Sequence, residues 1–443
     1  MKNHKELNDD LLKNFLDRTF FKAWKISTEE KRNNNSLVNY STLEFDMNPT
    51  CSLDCKYCYL SKHSEELMPK ASWNNKKILD NLKIYLEWMK KNNFHPNLEL
   101  FSGEPLVQNI GYEILDTILD WYDGKEQISI SVPTNMDFLH YPDKTKRVFD
   151  YFEKFRKKNV SFFLSASVDG KYLEENRPHR SPLLKYDDAF YEKLFDFCSV
   201  TGTGFHPMVY SNGIEKWKDN FLWFQGMFEK YGLPWDSLYL LEVRNQEWSA
   251  KQCLELEKLI RFVTIWAWDK LGHNSDDMMT FLFKRHGYNI LTNTLSTTGR
   301  GIGCSIQSTM QLRLGDLKFY PCHRTSYNFM EAGEFVVKDG KIDDITSINP
   351  ALFFAINGMD ITMQPMCTHC AMRAFCQGGC LGSQYETTGE LFSPIPTVCR
   401  MFYTKLRAVF RVFEEIGILP RVLSYINRDK VEIYKYLKKE NIL

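Results

Sequence analysis

Residues 42–58 read TLEFDMNPTCSLDCKYC, and this stretch decides the architecture. Its apolar beginning predicts a β-strand, which three cysteines with the spacing C-x3-C-x2-C follow directly. The thiolates of Cys51, Cys55 and Cys58 can bind three irons of a [4Fe-4S] cluster and leave the fourth iron without a protein ligand. A structural zinc site would need a fourth ligand, and His63 is the one nearby candidate. Spacing and strand context together favour an iron-sulfur cluster with an open iron.

The composition is typical of a large globular protein. Of 443 residues, 43% are hydrophobic and 25% are charged, which suits a catalytic body with one or two further modules. Lys plus Arg and Asp plus Glu number 56 each, which argues against a nucleic-acid partner. No apolar run reaches the roughly 18 residues of a membrane span, and the beginning MKNHKELNDD is too polar for a signal peptide. We therefore expect a cytoplasmic protein whose twelve cysteines mostly ligate clusters rather than form disulfides.

Predicted strands alternate with predicted helices from residue 41 onward. The six strands are expected at 42–47, 98–101, 127–132, 161–167, 204–210 and 238–243. The helices that follow them are expected at 78–89, 112–122, 144–157, 187–200, 217–231 and 250–271. Repeated right-handed β/α crossovers predict an α/β fold, a partial (β/α)6 TIM-like barrel. In such barrels the functional residues gather at the carboxyl ends of the strands.

The pattern changes along the chain and predicts five parts. These are an N-terminal helical extension (1–40), the partial barrel (41–272), a helical connector (273–303), a cysteine-rich module (304–400) and two C-terminal helices (401–443). The cysteine-rich module has Gly-rich turns in place of β/α units.

The three-cysteine loop, with Tyr57 before its last cysteine, resembles the signature of the radical S-adenosylmethionine (SAM) superfamily. The resemblance continues over roughly 41–245. It implies that the open iron binds the amino and carboxylate groups of SAM. It also implies that SAM is cleaved reductively, and that the 5'-deoxyadenosyl radical so formed abstracts a hydrogen atom from the substrate.

Polar motifs after the second, third and fourth strands extend this resemblance. Ser102-Gly103-Glu104-Pro105 is similar to the family's Gly-Gly-Glu-Pro turn, with Ser in place of the first Gly. The resemblance implies that Glu104 contacts the ammonium of SAM, a charge-assisted contact. It assigns further SAM contacts to polar residues at the strand ends and to an arginine that follows them: Thr134, Asn135, Ser165, Ser167, Asp169 and Arg177. Arg180 is the alternative to Arg177 for this role. Taken alone, such residues are also common as turn caps and surface charges.

Seven cysteines follow the barrel: Cys304, Cys322, Cys367, Cys370, Cys376, Cys380 and Cys399. Their core spacing, C-x2-C-x5-C-x3-C followed by a distant cysteine, resembles the SPASM domain of peptide-modifying radical SAM enzymes. The resemblance implies two auxiliary iron-sulfur clusters, both expected to be [4Fe-4S]. The outer cluster would be held by Cys367, Cys370, Cys376 and Cys399, and the inner cluster by Cys304, Cys322 and Cys380. A purely structural zinc-thiolate module is the alternative.

The chain departs from the SPASM pattern at three points. Leu317 stands where the family has Gly, which predicts an altered hairpin turn. No cysteine lies between Cys304 and Cys322, which implies an open or non-cysteine position on the inner cluster. His323 stands where sulfatase-maturating relatives carry Asp, which disfavours a formylglycine-forming role. His323 is a candidate for proton transfer, and its alternative is a packed or surface histidine.

The leading prediction is an oxidoreductase that forms a thioether or carbon-carbon cross-link in a ribosomally made peptide. The enzymatic alternatives are side-chain oxidation and epimerisation, and the non-enzymatic one is a cluster-binding interaction protein. The partners expected are a peptide or protein substrate and an electron donor such as flavodoxin or ferredoxin. The extension 1–40 is too short for a separate leader-binding domain. Cys198 and Cys253 are expected to be packed thiols, and either would be a hydrogen donor if the product were epimerised.

Overall fold

The structure is a computed structural model, and it describes residues 42–443 except 93, 102, 126, 286, 294, 296–308, 347–365, 368 and 377. The predicted extension 1–40 and two predicted site residues, Ser102 and Cys304, therefore lie outside the described residues. Across the described part of the chain, no helix has the length and apolar character that crossing a bilayer requires.

Eleven strands are described, and we number them in chain order. They are β1 (Thr42–Asp46), β2 (Asn97–Phe101), β3 (Ile128–Thr134), β4 (Val160–Ala166), β5 (Gly204–Phe205), β6 (Met208–Val209), β7 (Leu241–Glu242), β8 (Thr309–Arg313), β9 (Lys318–Tyr320), β10 (Gly333–Lys338) and β11 (Lys341–Thr346).

The helices of the described residues surround the strands. Those of the barrel and connector are α1 (Tyr59–Leu67), α2 (Asn75–Lys91), α3 (Asn109–Trp121), α4 (Pro142–Lys157), α5 (Asp188–Thr201), α6 (Trp217–Tyr231), α7 (Ala250–Lys270), α8 (Ser275–Phe283) and α9 (Asn289–Thr292). Those of the C-terminal part are α10 (Arg373–Cys376), α11 (Leu381–Thr388), α12 (Pro396–Glu415), α13 (Leu419–Tyr425) and α14 (Arg428–Lys439).

One large sheet has the order β11-β10-β9-β8-β1-β2-β3-β4-β5. Strands β1 to β5 are parallel neighbours, whereas β9, β10 and β11 pair antiparallel. A second parallel pair, β6 with β7, lies beyond them, and a bridge between Phe205 and Leu238 connects the same two chain segments. The six predicted β/α units are present, and the α/β partial-barrel fold is confirmed.

The residues of β1 alternate between two environments. Phe45 packs edge-on against Tyr85 of α2, so this face of the strand points to the outer helices. Glu44 and Asp46 project from the opposite face, towards the interior of the barrel. Both acids are almost completely buried. The first strand therefore supplies apolar packing on one side and two carboxyl groups to the inside.

The predicted strand bounds are accurate to two residues for β1 to β4. The predicted strand 204–210 is wrong as one element, because it is split into β5 and β6 around Pro207. Proline has no backbone N–H for the ladder, which accounts for the break. Of the sixth predicted strand, 238–243, the residues Leu241–Glu242 form a β-strand, β7.

Capping residues explain where several helices begin and end. Ser249 and Gln252 form a reciprocal capping box at the start of α7. Gly202 and Gly232 end α5 and α6 in the left-handed conformation. The prediction of two C-terminal helices from Met401 is wrong, because the described chain has three, α12 to α14. A left-handed Gly417 separates α12 from α13.

Strand β8 joins the cysteine-rich module to the barrel. It pairs in parallel with β1 in the register Glu44↔Gln311, so the sheet of the barrel continues into the module. The β8–β9 hairpin places Leu317 in the left-handed region with a φ of 60°. The turn thus has a conformation that glycine favours, at a cost to a side chain of about 1–2 kcal/mol. The altered turn at this position stays a prediction.

Candidate functional site

The three-cysteine loop is held by backbone hydrogen bonds from a segment that follows β4. Asp54 N–H donates to the carbonyl of Pro178 at 2.8 Å, and Arg180 N–H donates to the carbonyl of Ser52 at 2.8 Å. An antiparallel bridge between Leu53 and His179 lies between these bonds. The loop is therefore fixed as a short ribbon against residues 176–180.

The three thiols of this loop lie close together. Burial raises the pKa of Cys51 strongly, and the charges of Glu104, Cys55 and Cys58 raise it further. Burial also raises the pKa of Cys55 to about 12, against the lowering effect of Arg177. Thiolates need compensating positive charge in such surroundings, and bound iron supplies that charge.

The turn after β2 packs directly on the cysteine loop. Glu104 N–H donates to the carbonyl of Thr50 at 2.9 Å, and Gly103 N–H donates to the carbonyl of Asn48 at 3.2 Å. A Cβ atom at Gly103 would lie 2.3 Å from the carbonyl oxygen of Pro49. Glycine is required at this position because the two backbones approach so closely.

Glu104 is a buried carboxyl group at the carboxyl ends of the strands. It accepts hydrogen bonds from Thr134 Oγ1 at 2.7 Å, from Asn135 N–H at 2.6 Å and from Leu106 N–H at 3.0 Å. Burial raises its pKa to about 7, although these hydrogen bonds oppose the shift. All three donors are neutral, so they orient the carboxylate without balancing its charge. Lys144 is the cation that interacts with this carboxylate among the described residues, and a ligand amino group would be a suitable further hydrogen-bond donor to it.

Asn135 connects the end of β3 to the cysteine loop. Its Nδ2 donates to Ser52 Oγ at 2.9 Å and lies 4.0 Å from Cys51 Sγ. Its backbone carbonyl accepts a hydrogen bond from Tyr186 Oη at 2.9 Å. Two predicted residues of neighbouring strand ends, Asn135 and Glu104, are thus in direct contact with each other and with the loop.

Asp169 organises the end of β4. Its carboxylate accepts from Tyr57 Oη at 2.6 Å and from Arg177 Nε at 2.9 Å. The Arg177 guanidinium also lies over the Tyr57 ring, 5.3 Å from its centroid. Asp169 therefore orients both predicted partners. Ser165 and Ser167 lie half-buried at the same strand end, where Ser167 N–H donates to the carbonyl of Thr134.

The rival arginine, Arg180, has a different position. Its Nε donates to the carbonyl of Leu53 at 3.1 Å, and its guanidinium is half exposed near Asp54. Arg177 is buried and faces the interior, whereas Arg180 supports the outside of the cysteine loop.

Four thiols of the C-terminal module lie close together. Burial raises the pKa of Cys367 to about 11, and the charges of Cys399 and Cys370 add to this shift. Burial raises the pKa of Cys376 to about 12, and Cys399 and Cys367 contribute to it. These are the four residues that the sequence assigns to an outer cluster.

Cys380 and Cys322 are the two described cysteines that the resemblance assigns to the inner cluster. Burial lowers the pKa of Arg324, but the negative charges of Cys380 and Glu386 raise it by more. Cys380 therefore lies close to the Arg324 guanidinium. Cys322 follows β9, with its Sγ 3.4 Å from Thr325 Oγ1. Cys380 also borders a cavity that it shares with Cys376 and Cys399.

His323 lies beside the interior face of β1. Its Nδ1 is 2.9 Å from Glu44 Oε1, and its backbone N–H donates to Glu44 Oε2 at 2.8 Å. Its ring stacks on Phe101 at the end of β2, with 3.7 Å between centroids. Glu99 is nearby, and its pKa is raised by burial and by the charge of Glu44.

Sequence reasoning missed the contacts that join the barrel to the C-terminal module. Asn245 Nδ2 donates to the carbonyl of Tyr57 at 3.2 Å and to Glu386 Oε2 at 3.1 Å. Glu386 in turn pairs with Arg324. Glu44 was also missed, although an acid within the apolar run of β1 was a usable indication of an interior role.

The residues described so far fit the groups that the resemblance implies. Three clustered thiols on one loop are suitable ligands for an iron-sulfur cluster. The buried, oriented Glu104 next to them is suitable for an ammonium, and Arg177 is suitable for a carboxylate. Four further clustered thiols are suitable for a second cluster.

Comparisons with known proteins find likeness in structure. No protein-family profile and no curated protein matches the sequence. The solved structure of anSMEcpe with bound AdoMet, an anaerobic sulfatase-maturating enzyme of the radical SAM/SPASM type, has a TM-score of 0.54 at 16% identity. The match covers 85% of this chain and 99% of that chain. A polyhistidine-tagged form of anSMEcpe with bound AdoMet gives a TM-score of 0.56 at 14% identity, over 89% of this chain and 99% of that chain.

A third similar structure is SuiB from Streptococcus suis bound to the precursor peptide SuiA. Its TM-score is 0.49 at 14% identity, and the match covers 84% of this chain and 78% of that chain. At these identities, the likeness to anSMEcpe establishes the fold alone: the described chain has the same overall fold as anSMEcpe.

Proposed function

We propose that this protein is a radical SAM enzyme that modifies a peptide or protein substrate. The observation that carries the proposal is the contact between the Cys51–Cys58 loop, the buried Glu104 and Asn135. Three thiols and one buried carboxylate, whose hydrogen-bond donors are all neutral, meet at the carboxyl ends of the first three strands. This donor set matches the needs of an iron-sulfur cluster and of an amino-acid cofactor beside it.

Each of these residues has a specific task in the proposal. Cys51, Cys55 and Cys58 hold the cluster, and Glu104 accepts a hydrogen bond from the amino group of SAM. Arg177, oriented by Asp169, binds the carboxylate of SAM. When bound at such a cluster, SAM supplies the 5'-deoxyadenosyl radical that removes a hydrogen atom from the substrate.

A peptide substrate is the finer part of the proposal. One structure of anSMEcpe, with a TM-score of 0.53 and 16% identity, contains AdoMet and the Cp18Cys peptide, so this fold accommodates a peptide. The clustered Cys367, Cys370, Cys376 and Cys399 would hold an auxiliary cluster that carries electrons. Flavodoxin or ferredoxin is the class of donor that would reduce the SAM-binding cluster.

The proposed product is a thioether or carbon-carbon cross-link in a ribosomally made peptide. Its formation removes two hydrogen atoms from the peptide, so one electron and one proton must leave after hydrogen abstraction. His323 is the proposed proton acceptor. Because Nδ1 faces Glu44, the imidazole keeps its proton there and offers the lone pair of Nε2.

The enzymatic alternatives differ from this product in measurable ways. Oxidation of a cysteine side chain to formylglycine removes sulfur, and epimerisation leaves the mass unchanged. His323 beside Glu44, in place of an aspartate, disfavours the formylglycine route. A non-catalytic cluster protein would not cleave SAM at all.

Reductive SAM cleavage is the decisive test. Anaerobically reconstituted protein, incubated with dithionite and SAM, is expected to form 5'-deoxyadenosine, which liquid chromatography with mass spectrometry detects. The triple variant Cys51→Ser/Cys55→Ser/Cys58→Ser should lose this product and about four irons per chain. The matched control Cys198→Ala removes a thiol buried in the apolar core and should keep both. Wild-type protein that binds zinc in place of iron, or that forms no 5'-deoxyadenosine, would refute the proposal.

Candidate peptides encoded beside this protein test the product. A mass loss of two hydrogens that persists after disulfide reduction and thiol alkylation indicates a cross-link. The inner cluster is proposed to offer its open position to a substrate thiolate or amide. Electron paramagnetic resonance of the reduced protein should therefore change on adding peptide, and an identical spectrum at saturating peptide would contradict that coordination.

A further inference from the structure

A second group of metal-ligating side chains lies behind the cysteine loop. It consists of Asp137 and His140, on the short helical turn after β3, and His179, on the segment that pairs with the loop. One ligand atom from each residue lies within 4.8 Å of the ligand atoms of the other two. We propose that these three residues form a binding site for a divalent transition-metal ion of the zinc type, separate from the iron-sulfur clusters.

The distances fit such an ion. Asp137 Oδ1 lies 2.9 Å from His179 Nε2 and 3.9 Å from His140 Nε2. Zinc bound at about 2.0–2.1 Å in a tetrahedron separates its ligand atoms by roughly 3.3 Å, which lies between these two values. Small side-chain adjustments would therefore place all three atoms on one ion, with the fourth position open to water.

Two buried polar atoms in this group lack hydrogen-bond partners among the described residues. Asp137 has a fully buried side chain, and its Oδ2 has no partner. His140 Nε2 also has no hydrogen bond. Unsatisfied buried atoms of this kind are costly, and a cation bound by the Asp137 carboxylate group and His140 Nε2 offers a partner to both side chains.

The charge states suit metal binding as well. Burial lowers the pKa of His140, so its imidazole is neutral and has a free lone pair at neutral pH. Two imidazoles and one carboxylate are a ligand set that zinc accepts. The side chain of His140 is 18% exposed, which gives an ion a route into the site.

The surroundings hold the ligands in place. The His179 ring packs edge-on against Tyr186 at 4.4 Å, and the His140 ring stacks on Phe190 at 4.9 Å. Asp137 N–H donates to Asn135 Oδ1 at 3.0 Å. Since Asn135 contacts the cysteine loop, a bound ion would connect the end of β3, the 176–180 segment and the loop. The ion would be a structural metal that stabilises the position of the cysteine loop, and it would take no part in the hydrogen abstraction.

Zinc content and X-ray absorption of the holoprotein test the site. Iron-sulfur-reconstituted protein is incubated with zinc chloride and desalted, and metals are counted by mass spectrometry. About one zinc per chain is expected, and the zinc K-edge should show nitrogen and oxygen ligands at about 2.0–2.1 Å without sulfur at about 2.3 Å. The absence of sulfur distinguishes this site from zinc held by vacant cysteines.

Variants separate the proposed site from surface binding. His140→Ala and His179→Gln should each lower zinc occupancy about tenfold or more at unchanged iron content. The control His273→Ala removes an exposed imidazole that also pairs with an aspartate, Asp269, at 2.8 Å, and it should keep the zinc. Wild-type protein without zinc, zinc with sulfur ligands, or equal occupancy in His140→Ala would overturn the proposal. These readouts do not depend on SAM cleavage, so the two proposals can fail separately.

Discussion

Glu44 on β1 and His323 after β9 contact each other through two hydrogen bonds, although 279 positions separate them in sequence. The carboxylate accepts from the backbone N–H of His323 and faces its Nδ1. This contact exists because β8 extends the barrel sheet beside β1, which brings the β8–β9 hairpin to the interior of the barrel. The interior face of the first strand therefore sets the tautomer and the orientation of the proposed proton acceptor.

Replacing His323 should separate SAM cleavage from product formation. His323→Gln is expected to lower formation of modified peptide about 100-fold or more, since it removes the acceptor of the substrate proton. Formation of 5'-deoxyadenosine should change little, because the cysteine loop and Glu104 are intact. Glu44→Gln should have a smaller effect in the same direction, since it orients the imidazole without reaching the substrate. Both products are quantified by mass spectrometry in one reaction.

The control for this experiment is His273→Gln on the exposed surface. Equal losses of 5'-deoxyadenosine and modified peptide in His323→Gln would assign the residue a structural role. Full product formation in that variant would exclude it as the proton acceptor.

Glu104 should control SAM affinity in a pH-dependent way. Its pKa is raised to about 7 by burial, so the carboxyl group is largely protonated at pH 6 and largely ionised at pH 8. The ionised form accepts the stronger hydrogen bond from the amino group of SAM. Wild-type affinity for SAM should therefore rise from pH 6 to pH 8 relative to that of Glu104→Gln, which should bind about tenfold more weakly at pH 8. Equilibrium dialysis with labelled SAM measures both dissociation constants.

Glu113→Gln is the matched control, because Glu113 is an exposed acid on α3. A ratio of wild-type to Glu104→Gln affinity that stays constant across the pH range would contradict a role for the Glu104 charge.

The buried pair of Arg177 and Asp169 should be needed for stability as well as for binding. In Arg177→Gln, the buried Asp169 carboxylate keeps hydrogen bonds from Tyr57 Oη and from the backbone N–H of Met208. It loses the positive charge that balanced it. Breaking a buried pair in this way costs about 3–5 kcal/mol of unfolding free energy. Arg180→Gln, whose side chain is 55% exposed, should cost less than about 1 kcal/mol. Urea unfolding followed by circular dichroism compares the variants, and equal costs would show that burial of Arg177 is unimportant.

The local parts of this fold are readable from the sequence. Alternating apolar residues and turn residues placed β1 to β4 within two positions, and the spacing of Cys51, Cys55 and Cys58 identified the loop that Glu104 and Asn135 contact. Such features depend on residues near one another in the chain, which is why periodicity and spacing report them.

Contacts between distant segments could not be predicted from periodicity and spacing. The pairing of β8 with β1 depends on strand order in the sheet, and the Glu44–His323 contact depends on that pairing. The group formed by Asp137, His140 and His179 was missed because the 42 positions from Asp137 to His179 include all of β4. A single sequence does not indicate which distant segments of the chain pair with each other.

A buried ion pair between the barrel and the C-terminal helices gives the last prediction. Lys405 of α12 donates to both carboxylate oxygens of Glu242 on β7, at 3.0 and 3.1 Å, and neither side chain has exposed surface. Burial alone would raise the pKa of Glu242, but the charges of Lys405 and Arg244 hold it at about 2. Glu242 is therefore ionised at neutral pH and depends on its cations.

Removing one partner should cost more than removing both. Lys405→Met leaves Glu242 with Arg244 and should lower the unfolding free energy by about 3–5 kcal/mol. Lys405→Met/Glu242→Leu should recover part of that loss, because the fully buried carboxylate is removed and the Arg244 guanidinium left behind is 17% exposed and can be hydrated. Lys438→Met is the control, since Lys438 pairs with Glu414 on the exposed surface and its loss should cost less than about 1 kcal/mol. Urea unfolding of the wild type, Lys405→Met, Glu242→Leu, the double variant and Lys438→Met decides the question. Additive losses in the double variant would mean that Lys405 and Glu242 do not stabilise the interface as a pair.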